Sequence, residues 1–537
     1  MPQMPPDRPG RTWWRDGVLY QIYPRSYMDA NGDGVGDLRG IIAKLDHLQW
    51  LGVEGIWLDP ITVSPNDDWG YDVADYCDVD PALGTLADAE ALIAEAARRG
   101  IRVILDLVPN HTSDRHPWFL DSRSSRDSPH RDWYVWADGK ADGTPPNNWV
   151  NSFHPGRPAW TFDEHTGQYY LNHFLPSQPD LNWWNDGVRD AFDDILRFWF
   201  DRGVAGFRID VCHMIVKDRE LRDNPPATDD DHWYVQLRGQ RQLYNAARPE
   251  VHDVMRRWRA ITAEYSPSPI LIGETYVFDP DELFAFYGNG DELHLAFNLM
   301  FLHAKFDAAE LRSAVETAER MIPPDCWPTW TAGNHDNRRF PTRWCDNDPV
   351  RARAVMVLLM GLRGTPFLYY GDEIGMPDTD VPGERILDPV AKYHGTRLGR
   401  DPERTPMHWT GDDGAGFTKP GVEPWLPLGR NDLVNVAAQR HDPDSMLSLT
   451  RDLIGLRDAL PDLRAGAYRT LPCSNATLWA WERGDRTVVA VNLSDEPATV
   501  PDVDGEIRIS TIRARDEEQV SGALHLDPWE ATILVRR

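Results

Sequence analysis

The 537-residue chain has no apolar run approaching the ~20 residues that span a bilayer, which argues against a helical membrane protein. Its first ten residues, Met1 to Gly10, carry no apolar segment behind their charges, so a secretory signal is not expected and the cytoplasm is the expected location. The five cysteines, Cys77, Cys212, Cys326, Cys345 and Cys473, form no CxxC pair. A disulfide framework and a structural zinc are therefore not expected, and the thiols read as reduced and mostly buried. Basic side chains are in deficit, 56 Lys+Arg against 85 Asp+Glu, for a net charge of −29. Binding to a phosphate backbone or an anionic membrane needs cationic surface, so neither nucleic acid nor a membrane is expected as a partner. The excess acid reads as a solvated surface.

The rest of the composition is that of a globular protein, 41% hydrophobic and 26% charged, long enough for one large domain with additions or for two to three domains. Eight short β-rich runs follow one another: Gly17–Tyr23, Glu54–Leu58, Arg102–Asp106, Ala205–Asp210, Ile270–Glu274, Leu293–Phe297, Thr329–Gly333 and Pro366–Tyr370. Stretches of helical periodicity lie between most of them. Strand–helix alternation with a count of eight predicts an α/β fold, a closed (β/α)8 TIM barrel. The helix ends are readable: Thr85 with Asp88 three residues on forms a capping box, and Gly100 is a stop. From Val188, the residues Phe192, Ile195, Leu196 and Trp199 share one helical face before Gly203.

Two places break the alternation. Residues 112–176, rich in Pro, Asn, Trp and His and without a clear helix, read as a subdomain inserted after strand three. After about residue 463, alternating runs such as Ala476–Trp481 and Thr487–Asn492 predict a C-terminal all-β domain. The expected divisions are barrel at 1–111 and 177–462, insert at 112–176 and a C-terminal β-sandwich at 463–537.

Four acids, Asp106, Asp210, Glu274 and Asp336, fall at or just beyond the ends of predicted strands. The C-terminal ends of barrel strands face the loops that build active sites, so these carboxylates are expected in one cleft. Mutual repulsion there would spread their pKa values, one acid protonated and another ionised, as two-carboxylate sugar hydrolysis requires.

The segments Asp106-Leu-Val-Pro-Asn-His111, Gly206-Phe-Arg-Ile-Asp210, Gly273-Glu274 and Asn334-His-Asp336 resemble the four ordered signature regions of the α-amylase family of glycoside hydrolases. Gln178-Pro-Asp-Leu-Asn182, Gly70–Tyr76, Gly364–Gly371 and Arg404–Trp409 resemble its oligo-1,6-glucosidase and α-glucosidase branch. The resemblance implies that Asp210 is the nucleophile, Glu274 the general acid/base and Asp336 a third carboxylate that grips the sugar. Arg208, two residues before Asp210 on one strand, faces the same way and could keep it ionised. The resemblance further implies sugar contacts from His111 and His335, a pocket closed by Asp72 and Arg404, and aromatic walls from Tyr76, Phe153 and Phe174. Trp136, Trp149 and Trp160 are expected in the core or a lid.

Asp29-Ala-Asn-Gly-Asp-Gly-Val-Gly-Asp37 spaces oxygen side chains as a cation-wrapping loop does. Family members hold a divalent cation here, so Asp29, Asn31, Asp33, Asp37 and the Val35 carbonyl are the expected ligands of a structural Ca2+ or Mg2+, with no cofactor needed for the chemistry. Val211, after the nucleophile, tends in this branch to accompany α-1,6 cleavage, although the Cys212-His213 that follows departs from the usual pattern. Together these features predict a retaining α-glucosidase acting on small oligosaccharides or disaccharides from the non-reducing end, monomeric or homodimeric, with transfer to sugar or alcohol acceptors. A dedicated transglucosylase or a sucrose or maltose isomerase is the alternative. A non-catalytic binding relative is a distant third.

Overall fold

A computed structural model describes residues 4–394, 398–473 and 475–537. Eight parallel strands follow in chain order: β1 (Leu19–Ile22), β2 (Gly55–Leu58), β3 (Arg102–Leu107), β4 (Gly206–Ile209), β5 (Ile270–Gly273), β6 (Leu295–Ala296), β7 (Thr329–Thr331) and β8 (Thr365–Tyr369). Each pairs with its neighbour in sequence except β6 with β7, and β8 pairs back to β1. A parallel bridge between Phe297 and Thr329 closes that last gap, so the sheet is a barrel. All eight predicted runs coincide with these strands.

Alternation along the strands explains both the core and the site. Successive residues point to opposite faces of a strand, so every second one points into the barrel. Leu19, Trp57, Ile104, Ile272, Leu295 and Phe367 fill the interior as one apolar cluster. Val18, Tyr20, Ile56, Val103, Leu105, Phe207 and Ile209 face outward into the larger core beneath the helices. One inward step beyond the apolar layer come Gln21, Asp59, Asp106, Arg208, Asp210 and Glu274, a polar layer on an apolar plug. The capping box at Thr85 and Asp88 starts the helix Leu86–Arg98 as predicted. Val188, Phe192, Ile195, Leu196 and Trp199 are buried along the helix Asp186–Phe200.

The insert after β3 packs its own small core of Trp149, Ala159, Trp160 and Leu171 beside a three-stranded antiparallel sheet. It also contains one helix, Pro117–Ser124, which the composition did not announce. A buried polar cluster helps tie it to the barrel: Asp180 pairs with the Lys217 ammonium at 2.9 Å and accepts from His173 Nδ1, a ring that burial keeps neutral, at 2.6 Å. Lys217 also donates to Asn110 Oδ1 at 2.6 Å, at the end of β3. A second excursion, between β4 and the helix Val251–Thr262, carries the short helix Trp233–Arg238 and was not separated from the barrel by the sequence reading. Beyond residue 468, antiparallel strands form a six-stranded and a two-stranded sheet around Leu478, Val488, Val500, Ile507 and Leu534, the all-β domain expected there. Among the described residues, no helix is long and apolar enough to cross a membrane.

Candidate active site

A pocket of ≈ 280 Å³ opens at the C-terminal ends of the barrel strands and is lined by Asp210, Glu274 and Asp336 together with His111, Phe153, Phe174 and Val211. Arg208, only 1% exposed, organises the acids. Its Nη1 lies 2.9 Å from Asp106 and 2.8 Å from Asp210, and its Nη2 lies 2.8 Å from Glu274. Asp210 is tied through Oδ1 and Glu274 through Oε2, which also accepts the Val211 N–H at 2.9 Å. Among the described residues the second oxygen of each carboxylate has no partner, so each acid has one fixed oxygen and one open to the pocket. Burial pushes the Asp210 carboxyl well above the usual carboxylate range; Arg208 opposes this, while Glu274 and Asp106 add to it. Arg208, 2.8 Å from Asp210, works against that burial and favours the ionised carboxylate. Three carboxylates around one guanidinium retain a proton in a dry site, which is the condition two-carboxylate chemistry needs.

Asp336 is the opposite case. Burial would raise its carboxyl, but the Arg400 and Arg404 guanidiniums outweigh it and hold the group well below the usual range. Arg400 and Arg404 reach its Oδ1 at 3.1 and 2.8 Å. Val211 adopts φ 34° and ψ 44°, a left-handed conformation that a β-branched residue rarely takes. That turn aims its N–H at Glu274, so the strain serves the geometry of the acid pair.

Several expectations need correction. Asp72 does not close the pocket; it is fully buried and accepts from Ser64 Oγ at 2.7 Å and from the N–H groups of Asp67 and Asp68 at 2.9 and 3.1 Å. Arg404 is likewise buried, holding Asp336 and the His335 carbonyl beside the Tyr23 ring. The pair at the pocket wall is Asp68 with Arg400, Nη2 to Oδ1 at 2.7 Å, and Asp388 braces the same guanidinium at 2.7 Å. Both true partners lie four residues before the ones expected. Tyr76 is also displaced: its hydroxyl donates to the carbonyls of Val108 and His111, and its ring packs on Phe192 and Trp118. Tyr71 lines the pocket instead.

His335 lies behind Tyr71, its ring stacked 5.4 Å away and fully buried. One proton arrangement satisfies its neighbours. The Gln21 amide donates to Asp59 at 2.9 Å and to His335 Nδ1 at 2.7 Å; His335 Nε2–H donates to the Tyr71 oxygen at 2.6 Å; and the Tyr71 hydroxyl donates to Asp106 at 3.0 Å. His335 is thus the support of an aromatic wall. Burial lowers the His111 pKa to about 4, so that ring is neutral. It lines the pocket with Nε2 3.0 Å from the Tyr71 carbonyl and Nδ1 3.1 Å from the Asn110 amide. Phe153 and Phe174 line the pocket as expected, their rings 5.1 Å apart. Trp149 and Trp160 are buried in the insert, and Trp136 is half-buried there.

In the first loop, Asp29 accepts from Gly32 and Gly34 N–H and from the Thr418 hydroxyl, and Asp37 caps the next helix through Gly40 N–H. Asn31 and Asp33 bond each other and the local backbone, while Lys419 donates to the Asn31 carbonyl at 2.9 Å. The donor set is all oxygen and suits a hard cation in kind. Among the described residues, however, no three His, Cys, Asp or Glu side chains are gathered as metal ligands.

The alpha-amylase catalytic-domain model matches residues 21–466, and a domain of unknown function, DUF3459, matches residues 469–533. The chain therefore belongs to the alpha-amylase family and is a glycoside hydrolase of that family. It is 41% identical over 514 residues to a probable alpha-glucosidase of Rhizobium meliloti, covering 91% of each chain. It is 36% identical to an oligo-1,6-glucosidase of Parageobacillus thermoglucosidasius, covering 97% of this chain and 99% of that one. Among solved structures, the alpha-glucosyl transfer enzyme XgtA superposes with a TM-score of 0.91 at 38% identity, covering 98% of this chain and 99% of that one. The trehalulose synthase MutB of Pseudomonas mesoacidophila superposes at 0.89 and 33% identity, covering 98% and 100%.

Proposed function

We propose that the protein is a retaining, exo-acting α-glucosidase that releases glucose from the non-reducing end of short α-glucosides and transfers part of it to acceptor hydroxyls. The observation that carries this reading is the bridging of Asp210 and Glu274 by one guanidinium. It supports the short carboxylate separation, about 5–5.5 Å, at which one acid attacks and the other protonates, rather than the ~6.5–9.5 Å that accommodates a water between them. Asp210 attacks the anomeric carbon with its open oxygen while protonated Glu274 gives its proton to the leaving oxygen. Asp336, ionised beside Arg404, accepts hydroxyl hydrogen bonds from the same glucose. Glu274, now a carboxylate, takes the proton of an incoming water or alcohol, and the ester to Asp210 breaks. The ion pair of Asp68 and Arg400 at the wall supports an exo mode, because it limits how far a chain can extend past the terminal glucose. The names of the relatives support the α-glucosidase assignment, and the likeness to XgtA and MutB supports a transfer component. A cytoplasmic location and a monomer or homodimer complete the reading.

The test is the anomeric form of the first glucose released from maltose, followed by NMR, with Asp210→Asn beside the parent. Retention gives the α-anomer first, and the variant loses activity by at least ~10⁴-fold. First appearance of the β-anomer would mean inversion and would remove Asp210 as nucleophile.

A further inference from the structure

One buried carboxyl beside the acid layer takes no part in the glucose chemistry. Asp59, directly after β2, is 1% exposed and does not line the pocket. Gln21 on β1, Tyr71 in the loop after β2, Asp106 on β3 and His335 after β7 surround it. Asp106, Asp210 and Glu274 share Arg208, and Asp336 has Arg400 and Arg404. Among the described residues, no arginine or lysine is paired with Asp59; its contacts are to Gln21, Tyr71 and His335.

The hydrogens of this cluster can be counted. Five contacts join it: Gln21 Nε2 to Asp59 at 2.9 Å and to His335 Nδ1 at 2.7 Å, His335 Nε2 to Tyr71 Oη at 2.6 Å, and Tyr71 Oη to Asp106 at 3.0 Å and to Asp59 Oδ1 at 3.3 Å. The Gln21 amide supplies two hydrogens, the neutral His335 ring one and the Tyr71 hydroxyl one, so one contact lacks a hydrogen. It is that of Tyr71 with Asp59, because the Tyr71 hydrogen goes to the nearer Asp106. An ion pair between His335 and Asp59, whose Nδ1 and Oδ1 lie 3.2 Å apart, does not supply it, since a hydrogen on Nδ1 would face the Gln21 amide hydrogens across 2.7 Å. Turning the amide over would set its oxygen against Asp59 and again require a proton on the carboxyl. Burial acts in the same sense, raising Asp59 well above the usual carboxylate range and lowering His335 well below its own.

We propose that Asp59 is a positioning residue whose carboxylic O–H donates to Tyr71 Oη and fixes the aromatic wall that the glucose packs against. The inference rests on the α-glucosidase reading for what that wall receives. The phenol oxygen then accepts from His335 and Asp59 and donates to Asp106, so the ring cannot swing without breaking all of these bonds. A neutral Asp59 also sets no second anion beside Asp106, and the Arg208 charge stays with the acid pair.

The experiment compares the parent with Asp59→Asn and Asp59→Leu. Asparagine is the isostere of a neutral acid: its NH2 can donate to Tyr71 and its oxygen can accept from Gln21. Asp59→Asn is expected to keep kcat/KM for p-nitrophenyl α-glucoside within about threefold of the parent, while Asp59→Leu, of similar size and without a donor, should lower it about tenfold, the size of one hydrogen bond, and mostly through KM. The spectroscopic readout is the infrared difference between parent and Asp59→Asn at pH 7. A protonated-carboxyl C=O band that shifts in D2O should be present in the parent and gone from the variant. Absence of that band, an Asp59→Asn protein that loses as much as Asp59→Leu or does not fold, or an Asp59→Leu protein as active as the parent would each overturn this inference while the α-glucosidase reading stands. The infrared and Asp59→Asn arms decide even where Asp59→Leu fails to fold. No nitrophenol release from the parent would overturn the α-glucosidase reading, with the infrared band still deciding the state of Asp59.

Discussion

Replacing Asp68 and Asp72 separately by Asn should divide function from stability. Asp68 contacts Arg400 at 2.7 Å on the pocket wall, and Asp388 and Asp336 also hold that guanidinium, so Asp68→Asn leaves Arg400 paired. What it removes is the negative charge offered to a sugar hydroxyl. A hydrogen bond to a charged group is worth ~1.5–3 kcal/mol, so kcat/KM for maltose should fall by roughly 10- to 150-fold with little change in Tm. Asp72 instead accepts three hydrogen bonds inside the turn of residues 64–68, at 2.7, 2.9 and 3.1 Å. An asparagine there has one acceptor oxygen, and its NH2 must face donors. Asp72→Asn should therefore cost ~1–3 kcal/mol of stability and lower kcat/KM only a few-fold through looser placement of Asp68.

The pH dependence gives a second readout of the same pair. Burial pushes Asp72 up to about 6 from its ordinary 3.8. The folded state thus binds this proton more tightly than the unfolded chain does, so the stability it contributes is full below about pH 3.8 and lost as pH rises through about 6. Asparagine does not titrate. The Tm gap between parent and Asp72→Asn should therefore be wider near pH 4 than at pH 7, by calorimetry on both proteins. A larger kcat/KM loss in Asp72→Asn than in Asp68→Asn, with Tm held, would refute the reassignment of the wall to Asp68 and Arg400.

Three further outcomes follow from contacts elsewhere. Asp180→Asn leaves the Lys217 ammonium, 3% exposed, without its counter-charge and should destabilise by ~3–5 kcal/mol in denaturant titration, with Lys217→Met added to it recovering much of the loss. Val211→Gly removes the left-handed strain at φ 34° along with the side chain; Tm should not fall despite the lost methyl groups, and the maltose-to-isomaltose ratio of kcat/KM should move by up to the ~10–200-fold that one small apolar contact commands. If the first loop binds Ca2+ through Asp29, Asn31, Asp33, Asp37 and the Val35 carbonyl, Tm in millimolar Ca2+ should exceed Tm in chelator by several degrees; equal values would mean that the amide bonds to Asp29 and Asp37 hold the loop alone.

The barrel was legible because its strands are regular. Burial on both faces gives near-continuous apolar runs such as Arg102-Val-Ile-Leu, and an acid one inward step past such a run has to enter the polar layer, whatever the loops do. Asp106, Asp210 and Glu274 were therefore readable from position alone. Asp68, Tyr71 and Arg400 were not, because each lies in an irregular loop with no period to say which side chain faces the pocket. In Gly70–Tyr76 the sequence offers two tyrosines and two aspartates, and only the turn decides: its backbone N–H groups claim Asp72, which leaves the neighbouring Asp68 for the wall. Trp233 and Leu237, which also line the pocket, escaped notice for a related reason, since a six-residue helix is too short to show amphipathic periodicity.

The same distinction separates what relatives can share from what this chain sets for itself. The acids stand on strand ends and are braced by Arg208, whose position is fixed by the barrel's own alternation, so bond cleavage is inherited with the sheet. The far wall stands on a loop after β4 that is tied within itself, Asn224 to Gln240 and Asn245, and to the insert, Trp149 Nε1 to the Arg222 carbonyl and Asn245 to His173 Nε2, rather than to the barrel strands that carry the acids. Pocket-lining residues on this loop, such as Trp233, Leu237 and Gln242, can therefore differ between relatives without any change at the strand ends that carry the carboxylates.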